Sequence, residues 1–220
     1  MGQFRYSTHW SVNPKTDLKS LRKASLMQKK NEQTMNRIFD SAENLFSEKD
    51  FHEVKMEEIA KNANVGKGTI YTYFKSKEDL LFKCLMHNLE DHHKKFSEVV
   101  NTDKDFKTTL KDAFVFMFDF FKRKSALIQR IMGLMPQLKL SESDIKYARE
   151  MFHKALDVSS SFFQRGIDEG IIINIMTSRQ IAIVFQKMFD FNVMFAFYGE
   201  PEMSVEDCYR FFTKTFFRQE

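Results

Sequence analysis

Glycine and proline are scarce in this chain. Seven glycines and three prolines occur among 220 residues, and neither Asn-Gly nor Asp-Gly appears. Tight hairpin turns depend on such pairs, so their absence argues against antiparallel β architecture and for an all-α fold. Long apolar runs are missing too. The longest, Ala113 to Phe118, is closed by Asp119, well short of the roughly 20 residues of a membrane span, so no membrane association is expected. Cysteine is nearly absent. Cys84 and Cys208 lie far apart, without metal or redox spacing, which fits a reduced, cytoplasmic compartment. No Gly-rich phosphate loop, Ser-His-Asp set or metal motif is found. No cofactor or metal is therefore expected, and the alternative of an all-helical small-molecule enzyme has no motif behind it. His87 and Asp91 are i, i+4 neighbours, but a charged helix face of that kind is more often solvated than metal-bound.

What is present is unevenly spread. Residues 1–95 carry 17 Lys+Arg against 13 Asp+Glu, whereas residues 96–220 carry 17 of each. The whole excess of +4 sits in the first half, which suits contact with phosphates, although so small an excess is weak support alone. Phenylalanine shows the opposite bias, with 18 of 25 after residue 105. The chain is long enough to bury a substantial core.

One stretch organises the rest. Val54 to Leu81 reads VKMEEIAKNANVGKGTIYTYFKSKEDLL. Met56, Ile59, Ala60 and Ala63 fall at helical spacing. Asn64-Val65-Gly66 then breaks the helix, Asn and Gly being the residues that tolerate unusual backbone. A second short helix follows from about Lys67 to Phe74. At 100° per residue, Ile70 and Phe74 lie within about 40° of each other, while Gly68 and Thr72 point the opposite way. One face is greasy and the other small and hydroxylated. That is a helix-turn-helix, whose second helix can enter a major groove.

The run NVGKGTIYTYFKSKEDLL resembles the signature of the tetracycline-repressor (TetR) family of bacterial transcription regulators. Ile59-Ala60, Val65, Lys67-Gly68-Thr69, Ile70, Tyr71, Tyr73, Phe74, Ser76-Lys77-Glu78, Leu80 and Leu81 fit in register, and the resemblance spans roughly residues 31–85. Three positions depart from it: Lys55 replaces a capping Thr, Asn64 a Gly and Gly66 a Ser. The resemblance implies a dimeric regulator on double-stranded DNA with a near-palindromic operator, most often a repressor released by a small-molecule effector. The expected DNA contacts are Lys55, Gly66, Lys67, Gly68, Thr69, Tyr71, Thr72, Tyr73 and Lys77. Lysines reach phosphates, Gly68 admits the backbone closely, and Thr69 and Thr72 suit base edges.

Three domains are expected. Residues 1–30 are basic and read as a disordered tail, with Met27 an alternative start and a DNA-reaching arm the sharper alternative. Residues 31–76 form the helix-turn-helix domain, with the motif at about 55–74, and 77–220 the ligand-binding and dimerisation body. The periodicity predicts helices at about 31–47, 56–63, 67–74, 77–100, 106–121, 125–135, 141–169, 177–198 and 205–217. An apolar pocket is expected from Phe114, Met117, Phe118, Phe121, Met132, Phe152, Phe185, Met188 and Phe189, favouring a lipophilic or aromatic effector. Asp119 and Asp190 are candidate anchors for a cationic one, should either face inward. Phe and Met at helical spacing are also ordinary core, which leaves open a DNA-binding adaptor without a ligand. The surplus apolar surface of the last two helices, with Phe191, Phe195, Phe212 and Phe216, predicts the homodimer interface.

Overall fold

A computed structural model describes residues 18–134 and 138–218. Among them are eight α-helices: α1 (Leu18–Glu48), α2 (Met56–Asn62), α3 (Lys67–Tyr73), α4 (Lys77–Val100), α5 (Phe106–Leu134), α6 (Glu142–Asp168), α7 (Ser178–Tyr198) and α8 (Val205–Phe216). The all-α expectation holds. An isolated bridge between Ile172 and Phe217 ties the α6–α7 loop to the end of α8.

Two apolar cores divide the chain. The first gathers Ile38, Phe39, Ala42, Leu45 and Phe46 of α1 over Ile59 and Ala60 of α2, Ile70 and Phe74 of the α3 segment, and Leu80, Leu81 and Cys84 of α4. Burial pushes the Cys84 thiol up to about 12, so it stays protonated. The second core is aromatic: Phe96, Phe106, Phe114, Phe163, Phe185, Phe189 and Phe212. Phe114 alone meets Phe185, Phe189, Tyr209 and Phe212 with ring centroids 5.0 to 5.8 Å apart. The cores are joined in two ways. α4 supplies residues to both, and Leu127 of α5 is buried in the first. Beside it, Lys124 of α5 is paired with Glu43 of α1.

Helix starts follow local chemistry. Ser141 and Ser204 each close a capping box with the Asp three residues on, satisfying amides that a helix start leaves open. Gly170, at φ 71°, ends the α6 turn where a side chain would be strained.

Several expectations are corrected. α1 begins at Leu18, not near Asn31. Its added segment, LKSLRKASLMQKK, is made of good helix formers with no Gly or Pro, and the net charge that suggested disorder does not oppose a helix. Residues 1–17, the rest of the tail, lie outside the described residues. α5 runs unbroken from 106 to 134, because the Lys122-Arg123-Lys124 link is itself helix-forming. Phe212 and Phe216 are 0% and 3% exposed and face the body's own core, so they are not on a free face. Phe195 is half-buried, and the Phe191 and Met132 side chains lie outside the described residues. Phe152, expected in the pocket, is 56% exposed. Asp119 faces solvent, and the side chain of Asp190 is outside the described residues. Of the other expected pocket residues, Phe114, Met117, Phe185, Met188 and Phe189 pack as core, with Phe118 and Phe121 half-buried against it. A groove of about 560 Å³ on the body is instead a polar surface feature, lined by Ser160, Gln164, Arg165, Asp168 and Ser178 among others.

Two titratable residues of α4, His92 and His93, are drawn into the body. His92 is 6% exposed, and burial lowers its imidazole to about 3 and that of His93 to about 4, against an ordinary 6.5. Both are neutral in the folded protein at neutral pH. The unfolded chain takes up protons first as pH falls through 6.5, so their stability contribution is complete above that value and is lost below it. Between pH 6.5 and 5 each histidine is expected to remove stability with a slope approaching about 1.4 kcal/mol per pH unit. Thermal melts across that range check this, and His92→Phe should flatten the slope.

Candidate nucleic-acid interface

The two short helices are set by their turn. The amide of Val65 donates to the Ala60 carbonyl at 2.9 Å, and Asn64 takes φ 53°, a left-handed value that Asn tolerates. Gly66 caps α3 in an extended conformation. α1 then locks the pair from above. The Ser41 hydroxyl donates to the Ile59 carbonyl at 3.0 Å, and Phe39 meets Phe74 edge-on at 5.7 Å. Ile70 and Phe74 are 0% and 1% exposed.

With that face buried, Gly66, Lys67, Gly68, Thr69, Tyr71 and Thr72 are left exposed together. No atom lies within 4 Å of where a Gly68 side chain would begin, so another surface can approach its backbone. The Thr72 hydroxyl donates to the Gly68 carbonyl at 3.0 Å, which leaves its oxygen able to accept. Lys67 is paired with Glu57 of α2 at 2.6 Å. That hydrogen bond raises the Lys67 ammonium and lowers the Glu57 carboxyl. Part of the positive charge expected here is thus held by a neighbour. Lys55, at the N-cap of α2, is exposed and makes no side-chain cap bond, as expected from the missing threonine.

Two expected contact residues have other work. The Lys77 ammonium donates to the Val54 carbonyl at 2.8 Å and to the Phe51 carbonyl, and lies 4.4 Å from the centre of the Phe51 ring. Its burial lowers its pKa. It fastens the loop before α2 to the start of α4 and is not a free phosphate ligand. Tyr73 is half-buried, and its hydroxyl donates to Asn31 of α1 at 3.1 Å. Residues 42 apart meet there with no local sequence signal, so Asn31 and Glu57 escaped the sequence reading. Ser76 behaves as predicted, accepting from the Asp79 amide at 3.1 Å.

The basic residues of α1 share one side of the helix. Arg22, Lys23, Lys29 and Lys30 are exposed and fall within about 120° of one another around the helix. That arc is opposite Ile38, Ala42 and Leu45, which carry α1 onto the head.

Comparison with known proteins agrees with this geometry. A family model described as bacterial regulatory proteins, tetR family, matches residues 38–84. The fatty acid metabolism regulator protein of Bacillus subtilis (strain 168) is 28% identical over 151 residues, covering 66% of this chain and 75% of that one. Among solved structures, the fatty acid degradation regulator FadR from Bacillus halodurans superposes with a TM-score of 0.64 at 21% identity, over 82% of this chain and 94% of its own. FadR from Bacillus subtilis in complex with stearoyl-CoA superposes with a TM-score of 0.61 at 20% identity, over 81% and 95%. At such identity the superpositions speak for the fold. Residues 38–84 match the TetR-family model, and the chain, like its relatives, is a DNA-binding transcriptional regulator.

Two substitutions separate the exposed face from its support. Gly68→Ala has room and replaces a helical glycine, so stability should hold or rise by about 0.5–1 kcal/mol, while DNA affinity falls at least tenfold. Lys77→Ala removes hydrogen bonds from a charged donor, each worth about 1.5–3 kcal/mol, so it should lower the melting temperature. The slope of log affinity against log salt should not change. Melting curves and fluorescence anisotropy on one duplex read both.

Proposed function

We propose that the protein is a dimeric repressor that leaves a near-palindromic operator when a small, acyl-bearing effector binds its body. The observation carrying this reading is the exposed Gly68, Thr69, Tyr71 and Thr72 face, held rigidly by the burial of Ile70 and Phe74. Thr69 and Thr72 read bases, Lys55 and Lys67 meet phosphates, and Tyr71 lies along the backbone. No helix among the described residues is long and apolar enough to cross a membrane, and the site of action is the cytoplasm. The role is regulation, not catalysis. The effector class rests on the relatives that are named for fatty acid metabolism and on the apolar body.

The dimer forms through α6 and α7. Ile145, Phe152 and Ile183 are 47%, 56% and 43% exposed, and α6 and α7 lie side by side, with Arg179 of α7 paired to Asp157 of α6. With Phe212 and Phe216 inside, this face takes the place expected for α7 and α8. Exposed apolar groups on adjacent helices suit a second copy. The close packing of the expected pocket residues favours one other reading, a DNA-binding adaptor without an effector.

Phe152→Glu should give monomers by light scattering with little change in melting temperature, and DNA affinity should fall with the lost second head. Stearoyl-CoA should release wild-type protein from its duplex where coenzyme A alone does not. If neither compound shifts DNA binding or thermal stability, the adaptor reading replaces the effector-controlled one.

A further inference from the structure

The body core contains polar atoms that its packing does not satisfy. The Nδ1 atoms of His92 and His93 are buried and have no hydrogen-bond partner. His92 is held between aromatic rings: Phe120 at 3.8 Å and Phe116 at 5.1 Å, both of α5, and Phe96 of α4 at 6.4 Å. His93 lies three residues after Glu90, whose carboxylate accepts from Tyr147 of α6, so the ring is on the α6 side of the helix. The two unpaired nitrogens thus lie where α4, α5 and α6 come together. A buried polar atom left unpaired is costly, and one that persists calls for a partner absent from the chain itself. Water is the simplest partner. An acyl ligand suits the surroundings of His92, whose ring neighbours on α4 and α5 are phenylalanines.

We infer that His92 is the polar anchor of the effector site, sharing a hydrogen bond through Nδ1 with the carbonyl end of an acyl ligand whose chain runs among the phenylalanines between α4, α5 and α6. The inference rests on the effector-controlled reading above and deepens it by naming the residue that selects the ligand. Burial keeps the imidazole neutral at physiological pH, so it offers a hydrogen bond without drawing an anion. Ligand binding satisfies an atom that the free protein leaves unpaired. The anchor therefore destabilises the empty body and stabilises the filled one, which is the differential affinity that an effector needs. α4 carries both this anchor and part of the head's core, so a shift of α4 reaches α3 directly.

The test uses full-length protein with stearoyl-CoA as the probe. His92→Phe keeps the aromatic stack and removes the nitrogen. His92→Asn places an amide near the position of Nδ1. Three readouts are taken: the melting temperature without ligand, the affinity for duplex, and the stearoyl-CoA concentration that releases half the DNA. His92→Phe is expected to melt at or above the wild-type temperature at pH 7, to bind duplex as wild type does, and to need at least tenfold more stearoyl-CoA. His92→Asn should restore most of the response. An unchanged release concentration in His92→Phe overturns the inference. So does a drop of several degrees in its melting temperature, because that marks a residue whose role is packing alone. If wild-type protein binds duplex but stearoyl-CoA does not release it, the effector reading fails separately. The ligand-free melting comparison then still decides whether His92 carries an unpaired anchor.

Discussion

Burial of Ile70 and Phe74 against α1 and α4 decides where α3 points, because a helix of seven residues is too short to persist on its own. Its dihedral preferences contribute little, and its direction is inherited from Phe39, Ser41 and the turn at Asn64. The exposed residues of α3 make no comparable packing contacts. They are free to be chosen for what they touch outside the protein. Lys77 and Tyr73, which a motif would assign to that outside surface, are instead spent on holding the frame.

The same frame explains how a body can govern a head. α4 enters the head core through Leu80, Leu81 and Cys84 and the body core through Phe96 and Val100. α5 reaches back with Leu127 and with the Lys124–Glu43 pair, whose side chains are each about a quarter exposed. Close-packed interiors transmit displacement instead of absorbing it. A ligand that moves α4 against α5 therefore moves the roof over α3. Where such heads act as a two-fold pair, the separation of the recognition helices decides whether both fit the groove.

Periodicity made most helices legible, and the motif in α2 and α3 made the family legible. Ile70 inside and Thr72 outside follow from 100° per residue alone. Other features depended on tertiary partners. The stripe Val205, Cys208, Phe212 and Phe216 was readable as apolar, but its destination was not: it closes on Phe114 and Phe163. The basic residues of α1 suggested a loose tail, whereas their helix-forming character decided the backbone. Lys77 carried a family position and a charge, both visible, and neither showed that carbonyls from 51 and 54 would claim it. Asn31 and Glu57 had no signal at all, since each matters only through a contact that folding creates.

The central claim is that α3 reads a two-fold operator from its exposed Gly68, Thr69, Tyr71 and Thr72 face. Hydroxyl-radical footprinting of the purified full-length protein on the DNA upstream of its own coding sequence tests this most directly. The account predicts two protected half-sites with inverted sequence, their centres about one helical turn of DNA, or a whole multiple of it, apart. The same protection should be lost in Thr69→Ala with Thr72→Ala at equal protein concentration. Protection that is uniform along the fragment, or that survives the double substitution unchanged, would contradict it.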